Sequence, residues 1–217
     1  MIIGEFVAVA IIAYLLGSIP FALIVGKLAA GIDISKYGSG NVGGTNVART
    51  VGIKMGALVI VLDFAKAIGV VILAKVIVGD GVLLVAGFPL DWQAARVIAG
   101  LMVMVGHNWS VFIKFRGGKG VATYFGGCLV IWWEVALIGA FIAGVTVLVT
   151  RYMSMGSILG SLGVLCALMF FTLIYGFTPV YLVYGLVAAA MVVYQHRENI
   201  GRLQAGTELR LGGKRRN

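Results

Sequence analysis

We predict an all-α integral membrane protein with seven transmembrane helices, from the composition and from recurring apolar runs. Of the 217 residues, 61% are hydrophobic and only 12% are charged, and the mean hydropathy is +1.06. Soluble globular domains have about 45–50% apolar and about 25% charged residues. The chain is too short to hold a separate soluble domain beside the spans. We therefore expect one polytopic domain over residues 1–217, with a basic tail over residues 197–217.

The apolar runs define the helices in chain order, and two of them need argument. Pro20 should kink the first helix because proline lacks an amide hydrogen. As one helix, residues 121–150 would be about 45 Å long, well beyond a hydrocarbon core of about 30 Å. We therefore predict two helices there with a tight turn near Glu134. The predicted spans are Ile2–Leu28, Gly52–Val78, Ala94–Gly106, Val121–Trp133, Val135–Thr150, Met155–Ile174 and Pro179–Tyr194.

The basic residues indicate the orientation, because lysine and arginine accumulate in short cytoplasmic loops. With seven spans and an outside N-terminus, most of the 17 basic residues become cytoplasmic. The net charge of +9 then reflects topology and attraction to anionic lipids, and requires no nucleic acid. The cytoplasmic residues are Lys27, Lys36, Arg49, Lys54, Lys114, Arg116, Lys119, Arg151, Arg197, Arg202, Arg210, Lys214, Arg215 and Arg216.

The first polar stretch, residues 38–46, is rich in glycine and small polar side chains. Such a backbone lets successive N–H groups converge on an anion, as at phosphate sites. Arg49 follows and can hold a phosphate through two parallel hydrogen bonds, and a helix beginning near Gly52 adds its N-terminal dipole. A flexible surface loop is the alternative. The candidate phosphate-binding residues are Gly40, Asn41, Gly43, Thr45 and Asn46.

The second polar stretch, residues 116–120, reads Arg-Gly-Gly-Lys-Gly and leads directly into the fourth predicted helix. A phosphate at the N-terminus of that helix would have Lys119 as its counter-charge. The stretch is not a Walker A loop, because Ile113 and Gly120 stand where that motif needs glycine and serine or threonine. A basic loop that only sets topology is the alternative.

The third polar stretch contains His196 and Asn199, which lie three residues apart and therefore on one helix face. Both can point at a ligand, although a lone interfacial histidine is often structural. Glu208 can pair with Arg202 or with Arg210 and hold the tail in place.

Polar groups within or next to the spans add further candidates. Asp63 and Lys66 lie three apart near the middle of the second helix, and such intramembrane charges usually face the bundle interior. We interpret them as a structural pair rather than a proton relay. Ser154 or Ser157, just after Arg151, can supply a hydroxyl donor to the site.

In this order and separation, the polar stretches resemble the bacterial membrane family of acyl-phosphate-dependent glycerol-3-phosphate acyltransferases, the PlsY type. Each motif alone is weak, but their combination in a seven-span chain is specific. The resemblance covers nearly the whole chain and includes residues 17–20 (Gly-Ser-Ile-Pro), 39–46, Gly106-His107, 117–123 and 196–208.

The resemblance also implies roles for single residues. It implies that the catalytic residues are Ser39, Arg49, Lys119, His196 and Asn199. In addition, it implies phosphate binding by Gly117, Gly118 and Gly120 and a mainly structural role for Glu208.

The reaction implied by this resemblance moves a fatty acyl group from acyl phosphate to the 1-hydroxyl of glycerol 3-phosphate. The product is lysophosphatidic acid, and the step is the first acylation of phospholipid synthesis. No cofactor or metal is implied. The proton goes either to a phosphate oxygen of the donor or to His196 as general base.

We expect a multi-pass protein of the inner (cytoplasmic) cell membrane with its active site facing the cytoplasm. Its expected partners are acyl phosphate, glycerol 3-phosphate, membrane lipid and the soluble enzyme that makes acyl phosphate. A transporter of a phosphorylated solute and a non-catalytic scaffold subunit are the alternative functions.

Overall fold

The structure is a computed structural model that describes residues 2–85 and 87–212, and it is mainly helical. Three cations of the predicted cytoplasmic tail, Lys214, Arg215 and Arg216, lie outside these residues. Contacts divide the chain into two compact units, Met1–Ile131 and Trp132–Asn217. Within the described residues, four helical segments are long and apolar enough to cross a membrane: Ile2–Ala30, Ile53–Val78, Trp133–Thr150 and Met153–Tyr175.

The first unit contains six α-helices among its described residues. They are α1 (Ile2–Gly17), α2 (Phe21–Ala30), α3 (Gly44–Thr50), α4 (Ile53–Val78), α5 (Trp92–Asn108) and α6 (Val121–Ile131).

The first predicted span is two helices, because Pro20 breaks it rather than kinking it. Residues 18–20 separate α1 from α2, since proline offers no amide hydrogen and its ring clashes with the preceding turn. Ser18 partly caps the end of α1, as its hydroxyl donates to Tyr14 O at 2.8 Å. At this break the carbonyls of Gly17 and Ile19 accept hydrogen bonds from the side chain of Lys66 on α4.

Glycines let the backbones of neighbouring helices touch in this unit. A Cβ atom on Gly17 would lie 2.7 Å from Val103 Cα, and one on Gly106 would lie 2.9 Å from Ser18 N. The helices α1 and α5 therefore cross in direct backbone contact. This crossing brings the last turn of α5 beside the break between α1 and α2.

The short helix α3 was not predicted, and it moves part of the first polar stretch from loop into helix. Residues 44–46 and Arg49 lie in α3. A Cβ atom on Gly44 would lie 2.7 Å from Gly56 O, and one on Gly56 would lie 2.6 Å from Ala48 Cα. Close packing on α4 thus stabilises a helix that its own glycine-rich start would not favour.

The fold is mainly helical, as predicted, and one short two-stranded hairpin adds to it. Strand β1 (Leu83–Val85) pairs antiparallel with β2 (Phe88–Leu90), with Leu83 opposite Leu90. Asp91 then caps α5, because its side chain accepts from the amides of Gln93 at 2.9 Å and Ala94 at 3.0 Å. The helix accordingly begins at Trp92, two residues before the predicted Ala94.

The second unit has helices α7 (Trp133–Thr150), α8 (Met153–Tyr175), α9 (Val180–Gln195) and α10 (Arg197–Gln204). Extended backbone at Trp132 (φ −159°) separates α6 from α7, so residues 121–150 are two helices, as predicted. The helices α7 and α8 pack closely, since Cβ atoms on Gly156 and Gly160 would each lie 2.8 Å from a carbonyl of α7.

Candidate functional site

The first polar stretch is held together by the side chain of Asn46. Its Oδ1 accepts from Ser39 N at 2.9 Å, and its Nδ2 lies 3.0–3.1 Å from the carbonyls of Ile34, Tyr37 and Asn41. The residue is only 1% exposed. Asn46 was predicted to bind phosphate, but these bonds occupy its amide, so it shapes the loop instead.

Hydrogen bonds within the loop also use some of the backbone N–H groups that we predicted would bind an anion. Ser39 N donates to Asn46, and Gly40 N donates to Tyr37 O at 3.0 Å. Gly38 and Gly40 allow this turn with φ of 59° and 73°. The exposed Ser39 hydroxyl and Arg49 guanidinium bond to no other described residue. These two side chains are therefore free to bind a ligand.

The second polar stretch lies directly against the first. A Cβ atom on Gly118 would lie 2.8 Å from Val42 O and would also strike the His107 ring. Gly118 N donates to His107 O at 3.0 Å, and a Cβ atom on Gly117 would lie 2.6 Å from Asn108 O. The structure thus brings the first two predicted motifs together at the C-terminal end of α5.

Gly120 turns the second stretch into α6. Its φ is 75°, and its carbonyl accepts from Tyr124 N at 2.8 Å and from the Thr123 hydroxyl at 2.9 Å. The first amides of α6 follow immediately, with half-buried Lys119 just before them. The stretch thus leads directly into a helix, as predicted, and a helix start beside a cation is suited to an anion. Phosphate binding by this stretch stays a prediction.

Asn108 lies inside this turn, and sequence reasoning missed it. It is 2% exposed, and neither polar atom of its side chain bonds to any residue in the described part of the chain. Its Oδ1 is the atom nearest to a Cβ placed on Gly120, at 2.7 Å. A signal existed in its position, because Asn108 lies two residues beyond the predicted span Ala94–Gly106 and before the basic stretch.

Asp63, Lys66 and His107 form what we call the buried triad. Lys66 Nζ lies 2.8 Å from Asp63 Oδ1 and 3.2 Å from His107 Nδ1, which lies 3.3 Å from Asp63 Oδ1. Lys66 Nζ also donates to the carbonyls of Gly17 at 2.8 Å and Ile19 at 3.1 Å. The predicted Asp63–Lys66 pair therefore exists, and His107, which was not predicted, is its third member.

In the second unit, Glu208 joins two predicted site residues. Its Oε1 accepts from Ser154 Oγ at 2.8 Å and from Asn199 Nδ2 at 2.6 Å, and its Oε2 accepts from Arg202 Nε at 2.8 Å. Burial raises the pKa of Glu208, but these hydrogen bonds outweigh burial and hold the pKa below its usual value. Ser157 bonds instead to Met153 O in its own helix, at 2.8 Å.

His196 lies at the junction of α9 and α10 and is 3% exposed. Its Nδ1 lies 2.8 Å from Val192 O. A carbonyl only accepts hydrogen bonds, so Nδ1 carries the proton, and in the neutral ring Nε2 is the acceptor. Asn199, three residues on, is also buried, at 7% exposure.

Comparison with known proteins gives the family. The model of a family described as glycerol-3-phosphate acyltransferase matches residues 7–206. The chain belongs to that family. Glycerol-3-phosphate acyltransferase 3 of Dehalococcoides mccartyi is 40% identical over 216 residues, which is 100% of both chains.

Two solved structures resemble this family member in fold. Both are PlsY (YgiH), an integral membrane glycerol 3-phosphate acyltransferase, in its glycerol 3-phosphate form (TM-score 0.81) and its lysophosphatidic acid form (TM-score 0.80). Each is 36% identical, with 94% of both chains covered. This likeness and the apolar helices make the chain a multi-pass membrane protein.

The predicted site residues of this acyltransferase-family chain fall into two groups. Met1–Ile131 holds Ser39, Arg49 and both glycine-rich stretches, and Trp132–Asn217 holds Ser154, His196, Asn199 and Glu208. The family match spans all of them except Glu208, which lies two residues past its end.

Proposed function

We propose that this protein transfers a fatty acyl group from acyl phosphate to the 1-hydroxyl of glycerol 3-phosphate and releases lysophosphatidic acid. The observation that carries the proposal is the family match over residues 7–206, together with a fold shared with PlsY in its glycerol 3-phosphate and lysophosphatidic acid forms. The descriptions of the family and of PlsY do not mention acyl phosphate, so its role as the acyl donor is part of the proposal. Acyl phosphate is a mixed anhydride with a stable leaving group, so positioning and charge stabilisation can supply most of the catalysis.

The proposal includes seven spans in the inner membrane, with the N-terminus outside and the site at the cytoplasmic face. The apolar helices Ile2–Ala30, Ile53–Val78, Trp133–Thr150 and Met153–Tyr175 and the shorter α6 and α9 support multiple spans. The helix α5, with 17 residues, would complete the seven. The excess of lysine and arginine in alternate loops supports the orientation.

Arg49, Lys119 and the loop amides are proposed to hold the phosphates of donor and acceptor close together. Each charge-assisted hydrogen bond would contribute roughly 1.5–3 kcal/mol. Free Arg49 and the contact of Gly118 with Val42 support this role for the first unit. We assign His196 and Asn199 to orienting the acceptor, with Ser154 in support through Glu208.

The proton has two candidate acceptors, a phosphate oxygen of the donor and His196 Nε2. The hydrogen bond of His196 Nδ1 to Val192 O favours the tautomer that the base route needs, because it leaves Nε2 as the acceptor. His196→Gln keeps polarity but titrates at no accessible pH. Near-normal turnover in this variant would eliminate the base role. A loss of turnover of about 10²–10⁴-fold would support it.

The acyl chain is proposed to enter sideways from the bilayer and to lie between helices. Keeping a long alkyl chain in water would cost about 0.8 kcal/mol per CH₂ group. A photo-crosslinking lipid analogue should label helix residues, and labelling confined to the polar loops would contradict this route.

The function is tested with purified protein, radiolabelled glycerol 3-phosphate and either acyl phosphate or acyl-CoA. We expect labelled lysophosphatidic acid with acyl phosphate, and strong losses in Arg49→Ala and Lys119→Ala. Product from acyl-CoA alone would overturn the donor assignment. Unchanged labelled substrate inside proteoliposomes would favour the transporter, and full activity of both variants would remove the proposed phosphate site.

A further inference from the structure

The buried triad of Asp63, Lys66 and His107 has no part in the chemistry proposed above. Its side chains are only 4%, 5% and 9% exposed. Removing charges from water costs free energy that ion pairing only partly recovers, so stability alone is a weak reason to keep such a group inside a span. Its contacts lead instead toward the second polar stretch.

The triad joins three parts of the first unit. Lys66 Nζ holds the carbonyls of Gly17 and Ile19 at the break between α1 and α2, and it contacts Asp63 on α4. His107 belongs to the last turn of α5. The ammonium group of Lys66 thus fixes both the broken helix and the residue on which the glycine-rich loop rests.

His107 meets the loop through two different atoms. Its carbonyl accepts the hydrogen bond from Gly118 N at 3.0 Å, and its ring Nε2 faces the Cα of Gly118, where a side chain would strike it. Its Nδ1 lies on the other edge of the ring, toward Asp63 and Lys66. The ring therefore lies between the charged pair and the loop.

We infer that the buried triad is a positioning device for the second polar stretch. The Lys66–Asp63 pair fixes the His107 ring through Nδ1, because that nitrogen either accepts from Lys66 Nζ or donates to Asp63 Oδ1. His107 in turn fixes the main chain at Gly118, so that the loop amides and Lys119 are already in place for a phosphate. This inference rests on the proposed function, in which Lys119 and the loop amides, together with Arg49, hold the phosphates of donor and acceptor, so the KM for glycerol 3-phosphate reports on the stretch. The three members are positioning residues, since they act through the loop.

Two replacements of His107 separate the two edges of the ring. Asparagine keeps a polar atom near the Nδ1 position, and glutamine keeps one near the Nε2 position. We expect His107→Gln and Lys66→Met to raise the KM for glycerol 3-phosphate about tenfold to hundredfold, because weakening a charge-assisted hydrogen bond to the phosphate lowers affinity by about that factor. His107→Asn should stay closer to the wild type, and kcat should change much less than KM.

Several results would overturn the inference. One is a normal KM in His107→Gln with a raised KM in His107→Asn, because the Nδ1 contacts would then be irrelevant. Another is a lower unfolding temperature in Lys66→Met with unchanged KM, which would leave the triad a purely structural role. Lys75→Met is the matched control on the same helix, since Lys75 lies over the Trp92 ring, 4.7 Å from its centre, and should leave KM unchanged.

A double variant tests whether Lys66 and His107 act through the same loop. If they do, Lys66→Met combined with His107→Gln should raise KM no more than the larger single effect. Independent sites would multiply their effects, and that result would contradict the inference.

Lys119→Ala in the same assay separates this inference from the proposed function. If Lys119→Ala leaves the KM for glycerol 3-phosphate unchanged, the proposed phosphate role of the stretch fails and the inference fails with it. If Lys119→Ala raises KM but the triad variants do not, the positioning inference alone is wrong.

Discussion

Gly118 is the residue at which the two glycine-rich stretches meet, and it has no room for a side chain. A Cβ atom would lie 2.8 Å from Val42 O and would strike the His107 ring. Neither neighbour moves freely. The Val42 oxygen is part of the backbone, and the His107 ring contacts Asp63 and Lys66. Gly118→Ala should therefore displace the loop and lower kcat/KM about tenfold to hundredfold, measured with labelled glycerol 3-phosphate and acyl phosphate.

Gly69→Ala is the matched control for this prediction. Gly69 lies in α4, and a Cβ atom there meets nothing within 4 Å. This variant should keep wild-type activity. Equal activities of the two variants would contradict the tight contact at Gly118.

Asn46 gives a second prediction at the scale of the residue. Asn46→Asp keeps the acceptor for Ser39 N but loses the amide hydrogens shared among three carbonyls. The free energy of unfolding should fall by about 1–3 kcal/mol, because buried acceptors lose their partner. Thermal unfolding in detergent, followed by circular dichroism, measures the change. Asn41→Asp should be nearly neutral, and an equal loss in both variants would refute the assigned role.

Asn46 and His107 also show what residue-level reasoning from sequence misses. An asparagine in a glycine-rich stretch has the chemistry of a phosphate ligand, and only the folded loop reveals that its amide is already used. The Asp63–Lys66 spacing correctly predicted a pair within α4. The third member of the triad could not be predicted from spacing, because His107 lies on α5. Only the close backbone contacts at Gly17 and Gly106 bring α5 to this position.

At the scale of elements, Glu208 joins the segment after α10 to the start of α8, and this contact should depend on pH. The pKa of Glu208 lies below its usual value in the folded chain. The carboxylate therefore stabilises the fold fully above the unfolded pKa of about 4.3, and this stability is lost as the pH falls through the lower folded pKa. The unfolding temperature should drop in that acidic range.

Glu208→Gln checks this contribution. At pH 7 the variant should lose about 1–2 kcal/mol, because Arg202, 40% exposed, loses the nearer of its two carboxylate partners and keeps only Glu198 at 3.8 Å. Part of the drop in unfolding temperature at acidic pH should also be absent in this variant. Arg210→Gln is the control, since Arg210 bonds to the Tyr152 hydroxyl at 3.2 Å and not to Glu208. An unaltered acid profile in Glu208→Gln would contradict the assignment.

The long helices were predictable because their apolar runs are continuous. The helix α4 was predicted over Gly52–Val78 and is found over Ile53–Val78, and α7 and α8 each begin two residues before their predicted starts. The short elements were missed for a physical reason. The helix α3 depends on packing against Gly56, and the β1–β2 hairpin lies in a connection too short to show a clear period.

At the scale of the whole molecule, the sequence predicted the family and the multi-pass character but not how the site assembles. The order of the motifs carries the family resemblance, and composition carries the membrane class. The contact between the first two stretches depends on the α1–α5 crossing and on Gly118, which no local pattern encodes. That the third stretch joins them at one membrane face stays a prediction, and it follows from the proposed topology.

Cysteine tagging tests this topology, and it starts from a chain without its native cysteines. Cys128→Ala and Cys166→Ala should be tolerated, because neither cysteine forms a disulfide in the structure and alanine fits in the space of a thiol side chain. Single cysteines are then placed at exposed loop positions and treated with a membrane-impermeant maleimide in intact and in inverted vesicles.

With seven spans and an outside N-terminus, Lys36, Lys114 and Arg197 lie on the cytoplasmic side, and Asp80 and Phe177 lie outside. All five are exposed. Cysteines at the first three should therefore react only in inverted vesicles, and cysteines at the other two only in intact ones. An even number of spans returns the chain to the same side of the membrane. Two spans separate position 36 from 114, and four separate 114 from 197. Labelling of positions 36 and 197 from opposite sides would separate the first polar stretch from the third and would contradict a shared site.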